Sequence, residues 1–292
     1  MRNILALVAI FQFLSLIAAG QDIDKIRKDF EDKLRDTTVQ YGHNKSKGQF
    51  YNIRGFKMYA EIYGQGAPLL IIHGNGGSIN NFIYQIPYFE KKYQVIVADS
   101  RAQGNSADNG DSLSYEMMAD DYAALLDALK VDSAYVIGWS DGGINALLLA
   151  IRHPEKVKKL AITGANLWPD TTAVDPFVYN WAMNYNRQLA ANTSDSVKND
   201  RKLGHLLSYE PHMTLEQLHT IKCPTLVIGG DHDVILPQHT MLIAQNITNS
   251  YLWIIPNSGH STPIFYKERF NQVVEDFFTK PFRAIKEFGR FQ

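Results

Sequence analysis

Short apolar blocks and amphipathic segments alternate along this chain. Uninterrupted apolar runs predict strands that are buried on both faces of a sheet. These runs are Pro68–Ile72, Gln94–Ala98, Tyr135–Ile137, Leu160–Thr163, Thr225–Ile228 and Tyr251–Ile255. Upstream of them, Phe50–Tyr63 has the pattern of two antiparallel strands that turn at Arg54-Gly55. The pattern therefore predicts eight strands in all.

Segments with helical periodicity separate most of these strands. After Gly143, apolar residues recur at Ile144, Leu147, Leu148 and Ile151, which is the spacing of one helix face. Further helices are predicted at Ile79–Lys91, Tyr115–Leu129, Pro237–Gln245 and Pro263–Phe278. Alternating strands and helices indicate the α/β class, with a mostly parallel eight-stranded sheet that is covered by helices on both faces.

One long segment interrupts the alternation. Residues 166–218 contain no strand pattern and are rich in aromatic residues, including Trp168 and Trp181. Structureless connections of this length are uncommon in compact domains unless they are functional. We therefore predict a small helical cap at 166–218, inserted between two core strands. The alternative is a long helical connection that does not contact substrate.

The N-terminus differs in pattern from the rest of the chain. An apolar run from Ile4 to Ala19 follows a basic start and leads into small residues that end at Gly20. This layout predicts a cleavable signal peptide at residues 1–20, and hence a secreted or periplasmic protein. The alternative is an uncleaved membrane anchor, but the run is shorter than the ~20 apolar residues of a typical membrane-spanning helix, which favours cleavage.

The remaining chain divides into four parts. Residues 21–49 are predicted to form an amphipathic helix and a linker, and 50–165 the first part of the core. The cap at 166–218 comes next, and 219–292 complete the core with a C-terminal helix and tail. With 292 residues, 45% of them hydrophobic, the chain can bury one large core. The single cysteine, Cys223, excludes an intrachain disulfide.

The charge of the chain excludes some classes of partner. The formal net charge is −1, with no basic excess that would favour nucleic acid. Once the signal peptide has been removed, no membrane partner is expected. The expected partner is therefore a small molecule.

The sequence Gly138-Trp139-Ser140-Asp141-Gly142 lies between a predicted strand and a predicted helix. A Gly-x-Ser-x-Gly turn in that position is the context of a nucleophile elbow, in which the serine hydroxyl is raised above the sheet. Both glycines are expected where a Cβ atom would clash with neighbouring backbone. Ser140 is thus the candidate nucleophile, although the Gly-x-Ser-x-Gly spacing alone also fits an ordinary turn.

A serine nucleophile needs a base, and the base needs an orienting acid. His260 follows the last predicted strand and Asp233 follows the one before it, so in a parallel sheet both converge on Ser140. The chain order Ser140, Asp233, His260 is that of an α/β-hydrolase triad. Asp231 is the competing acid. No metal site is expected, because no second cluster of metal-ligating residues accompanies Asp231-His232-Asp233.

Two backbone N–H groups are candidates for an oxyanion hole. Asp141 follows the nucleophile at the start of a helix, and its N–H is the first donor. The second donor is expected from the glycine-rich turn His73-Gly74-Asn75-Gly76-Gly77, and we assign it to the Asn75 N–H.

Taken together, these motifs resemble the α/β-hydrolase superfamily over nearly all of the chain after residue 20. The resemblance rests on His73–Gly77, Asp99–Ser106, Gly138–Gly142, Cys223–Leu226 with Asp233, and Gly259-His260. One departure is Ala102-Gln103, which stands where Gly-His is usual. We expect this loop to be structural and the departure to leave the chemistry untouched.

Within the superfamily, Gly138–Ile144 and Ala161–Asn166 are similar to the valacyclovir hydrolase (biphenyl hydrolase-like) branch. That resemblance implies hydrolysis of α-amino-acid esters. The Asp141 carboxylate could then pair with a substrate ammonium group. Alternatively, it acts only as a favourable charge at a helix N-terminus.

The sequence therefore predicts a secreted serine hydrolase, a carboxylic ester hydrolase (EC 3.1.1.-) that forms an acyl-enzyme and needs no cofactor. Trp139 and Trp168 are candidate substrate contacts, with Trp181 as a further wall residue. The same triad could instead cleave an amide, lactone, thioester or C–C bond. Haloalkane dehalogenases and epoxide hydrolases are disfavoured because they carry Asp where Ser140 stands. Two non-enzymatic alternatives are a binding protein on the same scaffold and an interaction module on the N-terminal helix.

Overall fold

The computed structural model describes residues 23–36, 38 and 40–285 of the chain. The predicted signal peptide at 1–20 lies outside the described residues. The eight strands form one sheet, in the order β1-β2-β4-β3-β5-β6-β7-β8. The strands are β1 Gly48–Ile53, β2 Phe56–Tyr63, β3 Ala67–Ile72, β4 Tyr93–Ala98, β5 Ala134–Trp139, β6 Val157–Thr163, β7 Thr225–Gly230 and β8 Ser250–Ile255.

Only β2 runs antiparallel to its neighbours, β1 and β4; every other strand pair is parallel. The β1–β2 hairpin turns where the sequence predicts, at Arg54 and Gly55, whose φ angles are 42° and 90°. Two positive φ angles in a two-residue turn match the twist of the flanking strands. The predicted fold class, a mostly parallel eight-stranded sheet with helices on both faces, is confirmed.

Ten α-helices lie within the described residues. They are α1 Ile23–Arg35, α2 Ile86–Phe89, α3 Tyr115–Ala128, α4 Asp141–Arg152, α5 Pro176–Ala191, α6 Lys198–Tyr209, α7 Leu215–His219, α8 Pro237–Gln245, α9 Thr262–Phe265 and α10 Lys267–Thr279. None of these helices is long and apolar enough to cross a membrane.

The sheet divides the interior into two apolar clusters. Side chains alternate between the faces of a strand, so Leu70 and Ile72 of β3 pack with α3 and α4, whereas Leu69 and Ile71 pack with α2 and α10. The second cluster also receives Phe30, the buried residue of α1. The amphipathic N-terminal helix therefore packs against the core through its apolar face.

Two predicted helices are interrupted. Ile79–Lys91 contains a 3₁₀ turn at Ile79–Phe82 and then the short α2, with Pro87 in its first turn. Proline lacks the N–H that a continuous helix would need there, so it fits only a helix start. Pro263–Phe278 is likewise divided into α9 and α10 at Tyr266, whose hydroxyl donates to the Asn257 carbonyl at 2.6 Å.

Three helices, α5, α6 and α7, lie between β6 and β7, in the segment where the sequence predicts a cap. The Ser208 hydroxyl of α6 donates to the Ala182 carbonyl of α5 at 3.1 Å. The chain before α5 pairs with the loop after β7 through a Val174–Ile235 bridge. The helical insertion is thus tied to the loop that carries Asp233.

Candidate active site

Ser140 sits between β5 and α4 on a strained turn, with φ 58° and ψ −124°. A Cβ on Gly142 would lie 2.0 Å from the Ile72 carbonyl oxygen, and one on Gly138 would lie 2.3 Å from the Gly142 carbonyl oxygen. Both positions therefore require glycine, as the close packing of an elbow predicts. The turn leaves Ser140 partly exposed at the N-terminus of a buried helix.

His260 and Asp233 form a hydrogen-bonded chain with Ser140. The His260 Nε2 atom lies 2.9 Å from Ser140 Oγ, and its Nδ1 atom lies 2.6 Å from Asp233 Oδ1. The Asp233 side chain is completely buried and also accepts from the Ile235 N–H at 3.1 Å. These three residues come from the ends of β5, β7 and β8, so the sheet brings them together as the chain order predicts.

Asp231 faces away from this chain of contacts. Its Oδ1 accepts the Ser258 N–H at 3.0 Å and lies 2.9 Å from His232 Nδ1. Burial acts to raise the pKa of Asp231. The hydrogen bonds from the backbone of Asn257 and Ser258 and from the His232 side chain outweigh burial and lower this pKa to about 2. Asp231 holds the loop before His260. Among the described residues, no three His, Cys, Asp or Glu side chains are placed to hold a metal ion.

The histidine ring is also confined by residues that the sequence does not single out. Gly164, directly after β6, has φ +66°, and a Cβ there would lie 2.6 Å from His260 Cε1. On the other side, the Trp139 indole N–H donates to the His260 carbonyl at 2.9 Å. A glycine at the end of a core strand is the only sequence signal for the first of these contacts.

The turn after β3 lies directly beside the serine. A Cβ on Gly74 would lie 3.0 Å from Ser140 Cβ. The buried His73 Nε2 accepts the Ser100 N–H at 2.9 Å, and this bond connects the turn to the loop after β4. Burial lowers the pKa of His73. The Asn75 N–H has no partner within the described residues.

Asp141 is a buried carboxylic acid next to the candidate nucleophile, with only 4% of its surface exposed. The Asn75 side-chain amide donates to Asp141 Oδ2 at 2.8 Å, and the Tyr115 hydroxyl also hydrogen-bonds to this carboxyl. Burial raises the pKa of Asp141 to about 6, against the lowering effects of Asn75, Tyr115 and the His260 charge. Neither Tyr115 nor the Asn75 side chain is identifiable from the sequence, because each is distant from Asp141 in the chain.

Gln103 lies closer to the site than we expect from the sequence. Its side-chain oxygen accepts the Gly76 N–H at 2.7 Å, in the middle of the candidate oxyanion turn. This side chain therefore contacts the turn that carries Asn75, and the expectation that the Ala102-Gln103 departure leaves the chemistry untouched stays a prediction.

The cap helix α6 also contacts the site. The Leu203 carbonyl accepts a second bond from the Asn75 side-chain amide, at 3.2 Å. The preceding residue, Lys202, is buried and bonds to Asp108 at 2.6 Å, and Asp108 lies 3.2 Å from Arg101. A buried chain of charges therefore ties α6 to the loop after β4.

The candidate substrate contacts are placed differently from one another. Trp139 is buried between Phe82 and His260. Trp168 is partly exposed, donates to the Thr172 hydroxyl at 2.8 Å and packs edge-on against His239. Trp181 stacks on Tyr185 within α5. Their roles in substrate binding stay predictions.

His239 of α8 is a buried histidine outside the candidate triad. It is 2% exposed, and its Nε2 accepts the Leu167 N–H at 2.9 Å. Burial lowers the pKa of His239 to about 4. This residue is therefore a neutral structural histidine at the base of the cap.

Comparison with known proteins defines the class of this protein. The family model for the alpha/beta hydrolase fold matches residues 67–212, half of the chain. The chain belongs to this family and is a hydrolase. The strand order of the sheet and the site between β5, β7 and β8 agree with that assignment.

Within the family, the human serine hydrolase BPHL is 28% identical over 248 residues, covering 77% of this chain and 84% of that protein. The 2-hydroxymuconate semialdehyde hydrolase of Pseudomonas sp. (strain CF600) is 29% identical over 250 residues, covering 73% and 87%. The crystal structure of the enol-lactonase from Burkholderia xenovorans LB400 superimposes with a TM-score of 0.67 at 20% identity, covering 80% of this chain and all of that one. The predicted resemblance to the biphenyl hydrolase-like branch is confirmed by the BPHL match.

Proposed function

We propose that this protein is a serine hydrolase that cleaves small carboxylic esters. The observation that carries the proposal is the continuous contact from Asp233 through His260 to Ser140, with separations of 2.6 and 2.9 Å. A histidine held at both nitrogens in this way is oriented to accept a proton from the serine hydroxyl.

The geometry supports a two-step mechanism. His260 Nε2 takes the Ser140 proton as Oγ attacks the ester carbonyl, and Asp233 stabilises the imidazolium that forms. The Asn75 and Asp141 N–H groups would bind the oxyanion, and each such donor is typically worth ~10²–10³ in rate. His260 then protonates the departing alcohol, which leaves an acyl group on Ser140. A water molecule, deprotonated by His260, releases the acid by the reverse sequence.

Asp141 supports a narrower proposal, that the acyl group carries an α-amino group. Its carboxylate lies one residue from the nucleophile and is ionised above its pKa of about 6. A buried anion favours a nearby ammonium group and disfavours an anionic acyl group. The BPHL resemblance points in the same direction, whereas cleavage of a C–C bond in an acidic substrate would place two negative charges together. Amide, lactone and thioester substrates remain alternatives with the same triad.

The test compares two esters that differ only at the α-carbon, the p-nitrophenyl esters of norvaline and of pentanoic acid. We expect kcat/KM to favour norvaline by about 10–100-fold, the value of a charge-assisted hydrogen bond of ~1.5–3 kcal/mol. Asp141→Asn should remove this preference while retaining activity on the pentanoate ester. Equal losses on both esters would mean that Asp141 does not bind the amino group.

The triad has its own controls. Ser140→Ala and His260→Ala should each lower kcat on the order of 10⁶-fold, because the triad acts as a unit. Asp233→Asn should lower it by ~10⁴-fold, since the imidazole would then be held in the wrong tautomer. Asp231→Asn, two residues away, is the matched control and should change kcat far less. Activity in Ser140→Ala comparable to that of the wild type would rule out the serine mechanism.

A further inference from the structure

Gln103 is a buried polar residue without a role in the mechanism above. It follows β4, has 6% of its surface exposed, and directs its side-chain oxygen at the Gly76 N–H, 2.7 Å away. Among the residues that the structure describes, its amide nitrogen has a single weak contact, with the Met118 sulfur at 4.0 Å. The strong interaction of this side chain is therefore the one with the turn beside Ser140.

The Gly76 N–H that Gln103 binds belongs to the central peptide of a tight turn. The Gly77 N–H donates to the Gly74 carbonyl at 3.1 Å and closes a four-residue turn. Gly76, the third residue, has φ +64°. A positive φ at the third residue is characteristic of a type II turn, in which the central peptide is rotated relative to that of the commoner type I turn. The Gln103 oxygen binds the N–H of this central peptide, between Asn75 and Gly76, and so selects its orientation.

The other side of the turn is held by the Asn75 side chain. Its amide donates to the Asp141 carboxylate at 2.8 Å and to the Leu203 carbonyl at 3.2 Å. With the Gly76 N–H bound by Gln103, the rotation of the backbone on both sides of the Asn75 Cα is restrained. The Asn75 N–H itself is left for a ligand at Ser140.

We infer that Gln103 is a positioning residue for the oxyanion hole, which holds the Gly74–Gly77 turn so that the Asn75 N–H stays directed at the substrate carbonyl oxygen. The inference rests on the proposed serine-hydrolase function. An amide oxygen suits this task because it only accepts hydrogen bonds. A donor at the same position would repel the Gly76 N–H and favour the rotated peptide.

The central test replaces Gln103 by Met, which has a similar length and no strong acceptor. We expect Gln103→Met to lower kcat/KM for p-nitrophenyl pentanoate about 10–100-fold, less than the loss of a whole oxyanion donor. Butylboronic acid, which forms a tetrahedral adduct with the serine, should bind more weakly by a similar factor. The Ki of 1-pentanol, a ground-state ligand that carries neither a carbonyl oxygen nor an oxyanion, should stay within about twofold.

Met118→Leu is the matched control. It changes the packing around the side-chain amide nitrogen of Gln103 and leaves the bond between the side-chain oxygen and the Gly76 N–H in place. We therefore expect kcat/KM and boronate affinity to remain near wild type. If Met118→Leu lowers both as much as Gln103→Met does, the effect is one of packing and the inference is overturned.

Gln103→Glu keeps the inference testable if the Met variant does not fold. Glutamate offers an acceptor oxygen at the same reach in either protonation state, so boronate affinity should stay within about tenfold of wild type. A hundredfold loss with an unchanged melting temperature would contradict the inference.

The labelling rate of Ser140 by a fluorophosphonate separates this inference from the proposed function. A wild-type protein that is not labelled at Ser140 would refute the serine-hydrolase function itself. Labelling of wild type and Gln103→Met at the same rate would refute only the positioning role of Gln103.

Discussion

At the scale of single residues, Asp141 shows a conflict between stability and function. Its carboxylate is 4% exposed, lies one residue from the nucleophile, and accepts side-chain hydrogen bonds from Asn75 and Tyr115. Burial raises its pKa from 3.8 to about 6, so the folded protein disfavours the charge that the proposed substrate contact requires. Functional sites commonly retain such destabilising groups.

This conflict has a measurable pH dependence. Below pH 4 the Asp141 carboxyl is protonated in both the folded and the unfolded chain. Between pH 4 and 6 the unfolded chain releases its proton first, so the contribution of Asp141 to stability falls as the pH rises. Asp141→Asn should therefore match wild type near pH 4 and be about 2–3 kcal/mol more stable at pH 7, at 1.36 kcal/mol per pKa unit.

The measurement is urea unfolding of both proteins at a series of pH values. The difference between the two curves isolates Asp141, because every other titrating group is shared. A difference that is constant from pH 4 to 7 would show that the pKa of this carboxyl is not raised in the folded protein.

At the scale of elements, the sequence predicts most of the secondary structure and misses its interruptions. All six apolar runs lie within strands, because a buried strand needs only local hydrophobicity and β-branched residues. The predicted helices at Ile79–Lys91 and Pro263–Phe278 are both divided. Pro87 lies in the first turn of α2, and at the second break the Tyr266 hydroxyl donates to the Asn257 carbonyl of the preceding loop. Helical periodicity continues across such breaks.

The position of the cap helix α6 depends on a buried ion pair that no local pattern reveals. Lys202 and Asp108 bond at 2.6 Å with side chains 6% exposed, and they are 94 residues apart in the chain. A second ion pair between α6 and the same loop joins Lys198 Nζ to Asp111 at the same 2.6 Å separation, but the Asp111 side chain is 96% exposed. The two pairs differ in burial rather than in length.

We therefore expect different costs from two equivalent substitutions. Lys202→Met should destabilise the protein by about 1.5–3 kcal/mol, because it removes a buried charged hydrogen bond and leaves Arg101 as the remaining cation beside Asp108. Lys198→Met should cost less than about 1 kcal/mol, as is usual for exposed pairs. Chemical denaturation measures both. Equal costs would show that burial does not set the strength of these contacts.

At the scale of the whole molecule, the sheet separates two cores, and the N-terminal helix belongs to one of them. Phe30 of α1 is buried against the second cluster, and the neighbouring Asp29 bonds to Tyr84 at 2.6 Å and to Lys267 at 3.2 Å. The apolar face of α1 is therefore covered by this chain's own core. The interaction module considered from the sequence would have to use the polar face of the helix.

Removal of the Phe30 ring tests whether α1 is purely structural. Phe30→Ala should destabilise the protein by about 3–5 kcal/mol through the cavity it leaves. The kcat of the folded variant should stay within about twofold of wild type, because His260 is held by Asp233, Gly164 and Trp139 rather than by α1. Thermal unfolding and steady-state kinetics measure the two effects. A lower kcat at unchanged stability would instead link α1 to the site.

The amino-acid sequence by itself determined the architecture and named the candidate triad residues, with Asp231 left as the competing acid. Side-chain periodicity is a local property, and parallel strands place their carboxyl ends at one edge, so the order of Ser140, Asp233 and His260 is enough to bring them together. The signal peptide at 1–20 and the secreted location stay predictions from that sequence.

Only the tertiary structure decided which groups surround the triad. It directs Asp233 rather than Asp231 at His260, buries Asp141 under Asn75 and Tyr115, and brings Gln103 to the Gly76 N–H. Each of these contacts joins side chains of loops and helices whose relative positions are set by packing across the whole core. No repeat or spacing in the sequence encodes such distances, because they depend on where separate elements meet.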